Sequence, residues 1–189
     1  MGNRMCKRID KSEIEAKSIL TEAQGYLDTG FTHSLNPYAG CVFACKYCYV
    51  RELPVQKFRE TPWGEWLQVK VNAAALYRKE IGHLRRKGKT VNLFMSSATD
   101  PYQPVEREAE VTRGILREML VAPPDLLHIQ TRSPLVARDI DLLVQLKEKC
   151  RLVVSMTIET DREDMKRLFA PMALGIRLRL KALKEVHDA

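Results

Sequence analysis

Residues 41–48 have the sequence Cys41-Val-Phe-Ala-Cys45-Lys-Tyr-Cys48, which places three cysteines within eight residues. The spacing is Cys-x3-Cys-x2-Cys, and no fourth cysteine is near in the sequence. A closed structural zinc site has four protein ligands. Three cysteine ligands leave one coordination position of a bound metal for a group that is not protein. The sequence therefore predicts a metal centre with an open position, where metal chemistry takes place.

The composition is that of an ordinary globular chain with a mild basic excess. Its 189 residues are 45% hydrophobic, which is enough for one domain with a sizeable core. Lys and Arg number 31 against 24 Asp and Glu, a formal net charge of +7. This excess permits an anionic partner such as nucleic acid but does not require one. Two basic clusters, at residues 85–89 and 177–184, are interpreted as helix ends and solvated faces.

Hydropathy and cysteine usage indicate a cytoplasmic protein with no membrane partner. No apolar stretch is long enough to span a bilayer, and residues 1–18 lack the apolar centre of a secretory signal. In a reducing compartment, clustered cysteines bind metals or act in catalysis more often than they form disulfides. Cys150 is expected to be a small buried residue at a helix end, and Cys6 has no evident role.

The apolar pattern changes at about residue 30. Residues 1–30 are polar with weak periodicity and are interpreted as a partly ordered lead-in, and residues 31–189 as the core domain. In the core, strands and helices alternate. Strands are predicted at 31–36, 90–97, 126–131 and 151–158, with an extended segment at 66–71. Helices are predicted at 73–87, at 109–121, from 134 onward, and across 161–186 with interruptions near Pro171 and Gly175. This order predicts an α/β fold with a parallel sheet and right-handed crossovers.

Individual residues mark the ends of these elements. Asn72 and Ser133 are the expected helix N-caps, and Gly88 is the expected stop of the first long helix. Residues 151–158 are almost continuously apolar, which is typical of a parallel strand buried on both faces.

Polar residues follow each of the four main strands, at the edge where parallel sheets bind ligands. They are the cysteine-containing loop, residues 97–100, residues 131–133, and Ser155 with Glu159. Taken singly, Asp100 can be a turn residue before Pro101 and Ser133 a helix cap, and for each this alternative is about even with a functional role. Their joint placement favours a single site.

Three thiolates at this spacing can hold three irons of a [4Fe–4S] cluster and leave the fourth iron for an external ligand. The alternative is a zinc site that a distant histidine, His33 or His83, completes. The position of the cysteines after the first strand of a βα series favours the cluster.

Several strings resemble the radical S-adenosylmethionine (radical SAM) enzymes, in the branch related to spore photoproduct lyase and often labelled DNA repair photolyase-like. The resemblance covers roughly residues 17–189. It rests on NPYAGCVFACKYCYVR at 36–51, SSATDPYQPVE at 96–106, TRSPLVARDIDLL at 131–143 and VSMTIET at 154–160. It implies a partial (β/α) TIM-type barrel, of which about four βα units are present where the family has six.

The resemblance also implies roles for individual residues. Cys41, Cys45 and Cys48 would ligate the cluster, whose open iron would be chelated by the amino and carboxylate groups of S-adenosylmethionine. Four residues would contact that cofactor: Tyr47 the adenine, Thr99 the methionine amino group, Arg132 the carboxylate and Ser155 the methionine moiety. A reductant such as flavodoxin or ferredoxin would supply one electron. The resulting 5′-deoxyadenosyl radical would abstract hydrogen from an unknown substrate, with nucleic acid the favoured class.

The sequence also departs from the family pattern. Ser97 stands where the lyase has a cysteine that returns hydrogen to the product radical, which argues against lyase activity itself. Residues 170–175, APMALG, lack the glutamate and the second proline of the family motif. With four βα units, the chain resembles a truncated member whose sheet ends in an exposed edge. The alternatives are therefore a catalytically impaired iron–sulfur or zinc module, and a nucleic-acid-binding protein without catalysis.

Overall fold

The computed structural model describes residues 9–189, so Cys6 lies outside the described part of the chain. These residues form strands β1 (Asp10–Ile14), β2 (Leu20–Glu22), β3 (His33–Leu35), β4 (Tyr38–Ala39), β5 (Trp66–Lys70), β6 (Asn92–Met95), β7 (Leu126–Thr131) and β8 (Arg151–Met156). The α-helices are α1 (Pro54–Lys57), α2 (Ala73–Arg86), α3 (Glu106–Ala109), α4 (Val111–Val121), α5 (Ile140–Lys147), α6 (Glu163–Phe169) and α7 (Ile176–Asp188).

The main sheet has five strands in the order β2-β3-β6-β7-β8. The pairs β3–β6, β6–β7 and β7–β8 are parallel, and β2 adds to β3 in the antiparallel direction. Successive parallel strands are neighbours, as in a barrel, and the sheet does not close within residues 9–189. The predicted α/β fold with a partial barrel is confirmed.

A second, three-stranded sheet has the order β1-β5-β4. Through β1 and β2, residues that the sequence assigned to a lead-in are part of both sheets. Most side chains of β1 are exposed, so this strand has no apolar alternation that a sequence pattern could detect. The domain boundary at residue 30 stays a prediction.

Helices α2, α4 and α5 pack on one face of the main sheet and form the core with it. Tyr77 and Ile81 of α2 and Ile115 of α4 are fully buried, in the same apolar cluster as the strand residues Leu93 and Leu127. These helix positions follow the spacing of one helical face, which is why the apolar pattern located both helices.

The residues predicted to begin helices lie at or near helix starts, with two differences from the prediction. The Ser133 hydroxyl accepts a hydrogen bond from the Leu135 N–H at 3.3 Å and begins a 3₁₀ helix at 134–139 that leads into α5. Asn72 precedes α2 but does not cap it; its side chain instead bonds the Ala16 backbone N–H and C=O, each at 2.9 Å. The helix predicted at 109–121 begins at Val111, because the chain turns at Glu110 with φ 46°.

Two predictions of burial were wrong. Strand β8 is buried on one face only: Leu152 and Val154 pack against the core, whereas Arg151 is exposed and Val153 is 44% exposed on the open inner face. Arg179, placed by the sequence on a solvated face, is fully buried. The expected edge at β8 is present, since β7 is its one strand partner among the described residues. Cys150 is partly buried against the core, and no helix within residues 9–189 is long and apolar enough to cross a membrane.

Gly88 ends α2 in the left-handed region, with φ +65°. Its N–H donates to the Arg85 carbonyl at 2.9 Å, and open space surrounds the position of an added Cβ. Gly88→Ala should therefore act through backbone strain alone and lower the free energy of unfolding by about 1 kcal/mol in urea denaturation. Gly30→Ala is the matched control, because Gly30 also faces open space but has φ −146°. Equal losses for the two variants would contradict this explanation.

Candidate functional site

A cavity of about 1120 Å³ extends along the inner face of the main sheet to the carboxyl ends of its parallel strands. All three cysteines of the 41–48 segment line it. Thr99, from the loop after β6, and Arg132, from the loop after β7, line it as well. Predicted site residues from three separate stretches of sequence are therefore brought to one cavity, whereas Tyr47 and Ser155 are not among the residues that line it.

The cysteine loop, residues 40–48, is shaped by two glycines with positive φ. A Cβ on Gly40, with φ +83°, would lie 2.6 Å from the Trp66 carbonyl oxygen. A Cβ on Gly64, with φ +97°, would lie 2.4 Å from the Cβ of Ala44. Both positions need glycine because the loop packs directly against the segment that contains Trp66. The guanidinium of Arg51 also fixes the loop by donating to the carbonyls of Ala44 at 3.3 Å and Cys45 at 3.2 Å.

The thiols lie in an apolar setting. Cys41 and Cys45 are buried in a cluster with Phe43 and Trp63, and Cys48 is half-buried. Burial raises the pKa of the Cys41 and Cys45 thiols. Metal binding by these residues must therefore release protons, as it does wherever thiolates are ligands.

The donor set fits a group that is held by thiolates. Among residues 9–189, no group of three or more His, Cys, Asp or Glu side chains is arranged to hold a metal ion. A [4Fe–4S] cluster takes one cysteine on each of three irons, and three thiols that line one cavity match that donor set in kind. The histidines of the zinc alternative lie elsewhere: His33 Nδ1 contacts the Thr32 hydroxyl at 2.9 Å, and His83 is exposed on α2.

The loop after β6 is hydrogen-bonded to the start of the cysteine loop. The Thr99 hydroxyl donates to the Gly40 carbonyl at 2.6 Å. Gln103, which is fully buried, accepts from the Val42 N–H at 3.1 Å and donates to the Thr99 hydroxyl oxygen at 3.2 Å. The Thr99 proton is thus already used, and one oxygen lone pair stays free to accept a hydrogen bond in the cavity.

Asp100 ties the loop after β6 to the loop after β7. Its buried carboxylate accepts from the Thr131 hydroxyl at 2.7 Å, the Arg132 N–H at 2.8 Å and the Tyr102 N–H at 2.9 Å. Burial raises the pKa of Asp100, and these hydrogen bonds oppose that rise. Asp100 is therefore more than a turn residue before Pro101, because it positions the backbone of Arg132.

Tyr47 and Ser155 lie beside the cavity, each bonded to a residue that lines it. The Arg132 Nη1 donates to the Tyr47 hydroxyl at 2.9 Å, and the guanidinium stands 5.7 Å from the Tyr47 ring centroid. The Ser155 hydroxyl lies 2.8 Å from His128 Nε2. His128 belongs to an aromatic group on the inner face, with ring centroids 5.0 Å from Phe94 and 5.7 Å from Phe31.

The sequence profile of the Radical SAM superfamily matches residues 35–189. The chain belongs to the radical SAM superfamily. The match begins at the end of β3 and includes all the site residues that the sequence predicted, and the predicted recognition is confirmed.

This radical SAM protein is similar to proteins and structures that are longer than itself. The uncharacterized protein MJ0683 of Methanocaldococcus jannaschii is 32% identical over 184 residues, which cover 97% of this chain and 65% of the relative. The uncharacterized protein ORF301 of Acidianus two-tailed virus is 33% identical over 162 residues, 82% of this chain and 51% of the relative.

Solved structures of spore photoproduct lyase share the fold. One mutant superposes with a TM-score of 0.67 at 15% identity, over 94% of this chain and 48% of the lyase chain. Another, with bound AdoMet and dinucleoside spore photoproduct, has a TM-score of 0.63 at 15% identity, over 94% and 47%. The chain therefore spans about half the length of these lyase structures.

The segment that departs from the family motif contacts the cysteine loop. Ala170 and Ala173 pack in the same cluster as Cys41 and Cys45, and the Lys46 N–H donates to the Phe169 carbonyl at 2.9 Å. Small apolar side chains therefore cover the cysteine loop, and one of them, Ala170, stands where the resemblance expects a glutamate.

Ser97, where the resemblance expects a cysteine, lines the cavity together with Tyr49. The Ser97 hydroxyl accepts from the Asn36 side-chain amide at 3.2 Å, and the Tyr49 hydroxyl donates to the Ser97 carbonyl. The neighbouring Ser96 has φ 79°, and its buried hydroxyl has no partner among the described residues. A strained serine with an unused hydroxyl in a cavity wall is typical of a ligand site.

Proposed function

We propose that this protein binds a [4Fe–4S] cluster and S-adenosylmethionine and cleaves that cofactor reductively. The observation that carries the proposal is the shared cavity of Cys41, Cys45, Cys48, Thr99 and Arg132. Three thiolates with no fourth protein ligand suit a cluster that keeps one iron open. When bound and reduced by one electron, the cluster and S-adenosylmethionine supply a 5′-deoxyadenosyl radical that abstracts hydrogen from a substrate.

The chain's own residues bind and orient the cofactor. The Arg132 guanidinium pairs with its carboxylate, because a planar fork of N–H donors matches the two carboxylate oxygens. The free lone pair of Thr99 accepts from its amino group, Ser155 contacts the methionine moiety, and Tyr47 contacts the adenine. Buried Phe43 and Trp63 exclude water from the cysteine side.

The proposal also includes a reductant, a compartment and a substrate class. An external one-electron carrier such as flavodoxin or ferredoxin is the reductant, and the compartment is the reducing cytoplasm. Nucleic acid is the proposed substrate class, in line with the net charge of +7. Ser97 supplies no thiol, so hydrogen return by a cysteine at this position is not part of the proposal.

The open inner face of β8 favours a second candidate, a cluster-binding module with impaired turnover. Val153 is 44% exposed on that face, and no strand among residues 9–189 follows β8 in the sheet. A cavity that is open on this side excludes water less well, and turnover depends on that exclusion more than binding does.

The experiment that separates the two is reductive cleavage of S-adenosylmethionine. The protein is reconstituted anaerobically with iron and sulfide, reduced with dithionite, and assayed for 5′-deoxyadenosine per cluster. Several equivalents per cluster are expected from an enzyme, and well under about one from a module that binds only. Protein stripped of iron by a chelator and reactions without dithionite are the controls. A colourless protein that retains zinc and yields no 5′-deoxyadenosine would overturn the proposal.

A further inference from the structure

Arg179 is a charged residue in an unusual place, since its side chain is fully buried on the C-terminal helix α7. Its Nη1 donates to Glu159 Oε2 at 2.7 Å, and its Nη2 donates to Glu159 Oε1 at 3.1 Å. Nη1 also donates to the Thr157 carbonyl at 2.8 Å. These contacts hold the segment after β8, where Thr157 lines the cavity.

Glu159 lies between two guanidinium groups. Its Oε2 stands 3.9 Å from Arg132 Nη1, a longer contact than either hydrogen bond from Arg179. Within the described residues, the Arg132 guanidinium makes one side-chain hydrogen bond, to Tyr47. Because a guanidinium has five N–H donors, most of the Arg132 donors stay available to a ligand in the cavity.

The two arginines compete for one carboxylate. The Glu159 side chain is 9% exposed, so its charge needs a partner within the protein. Without Arg179, the nearest cation is the Arg132 guanidinium, and a small rotation of Glu159 would close the 3.9 Å gap. A closed Glu159–Arg132 pair would occupy the N–H donors that a ligand carboxylate needs.

We propose that Arg179 and Glu159 are positioning residues for Arg132: Arg179 holds Glu159 away, which leaves the Arg132 guanidinium for the carboxylate of S-adenosylmethionine. This inference rests on the proposed function of the site. It gives helix α7, which does not line the cavity, a part in cofactor affinity.

The test is equilibrium binding of S-adenosylmethionine to the reconstituted protein, measured without turnover. Arg179→Met should weaken binding about tenfold, the lower end of the usual effect of residues that orient a ligand-binding group. Adding Glu159→Gln to Arg179→Met should restore affinity to within about threefold of native, because the competing charge is gone. Decarboxylated S-adenosylmethionine lacks the group that Arg132 would bind. Its affinity should therefore be the same for every variant as for the native protein.

Two further variants keep the result decisive. Arg177→Met is the matched control, because Arg177 is exposed on the same helix, and it should bind like the native protein. If Arg179→Met fails to fold, Arg179→Lys keeps a cation beside Glu159, and its smaller loss should again be reversed by Glu159→Gln.

The results that would overturn this inference differ from the result that would overturn the proposed function. An unrestored double variant, or an equal loss for the decarboxylated compound, would mean that Arg179 has only a structural role and would overturn the inference. Native affinity in Arg179→Met would overturn it as well. A native reconstituted protein that binds no S-adenosylmethionine would overturn the proposed function, and this inference with it.

Discussion

Replacing Cys45 with serine is expected to abolish cluster assembly while leaving the fold intact. Iron after anaerobic reconstitution should fall from about four atoms per chain to below about one, and the brown iron–sulfur absorption should disappear. A serine hydroxyl does not ionise near neutral pH and is a poor ligand for iron in place of a thiolate. The fold should survive, because the Cys45 Sγ makes one weak hydrogen bond among the described residues, to the Phe43 carbonyl at 3.9 Å, and serine has nearly the same shape.

Cys150→Ser is the matched control for this change. Cys150 is partly buried at the end of α5, and its thiol donates to the Leu146 carbonyl at 3.5 Å. It does not line the cavity, so this variant should bind as much iron as the native protein. Iron and sulfide analysis with electron paramagnetic resonance of the reduced protein measures both variants. Full iron content in Cys45→Ser, with a native circular dichroism spectrum, would show that the cysteine loop is not the cluster site.

The fold was predictable from sequence where strands and helices bury apolar side chains. Strand β7 occupies Leu126–Thr131, the predicted range, because its apolar residues are bounded by clear turn signals. Strands β1 and β2 escaped prediction because they are short, polar and largely exposed. The apolar character of β8 was misleading, because the sequence cannot tell whether the inner face of an open barrel is covered.

The site was predictable where the chemistry is carried by rare residues at fixed spacing. The cysteines, Thr99 and Arg132 follow strand ends and meet at one cavity as expected from a parallel sheet. The roles of the four cofactor-binding residues and of the cysteines stay predictions that the experiments above test.

The residues that organise the site from outside were not predictable. In α7, Leu178 and Leu180 are about half exposed while Arg179 is fully buried, the reverse of what residue type suggests. Gln103 likewise belongs to no sequence pattern. Its side chain hydrogen-bonds across two loops that meet only in the folded protein. Such residues are defined by long-range contacts, which periodicity does not report.

Asp100 is the residue of the site whose loss should cost the most stability. Alanine at this position would leave three donors without their acceptor: the Thr131 hydroxyl and the N–H groups of Arg132 and Tyr102. Asp100 is 4% exposed, so water cannot readily replace its carboxylate. The Thr131 hydroxyl also accepts from the Ser133 N–H at 3.0 Å, and its displacement would loosen the start of the following helix.

We therefore expect Asp100→Ala to lower the free energy of unfolding by about 3 kcal/mol in urea denaturation, since each unpaired buried donor costs about 1–3 kcal/mol and partial relaxation offsets the sum. Asp100→Asn should lose roughly half as much, because one amide oxygen still accepts while the new NH2 group faces another donor. Asp28→Ala, at an exposed carboxylate, should stay within about 0.5 kcal/mol of native. Because Asp100 fixes the Arg132 backbone and Arg132 is the proposed carboxylate ligand, Asp100→Asn should also bind S-adenosylmethionine more weakly than the native protein. A stable Asp100→Ala protein would mean that the loops after β6 and β7 are held by other contacts, and that Asp100 is a turn residue after all.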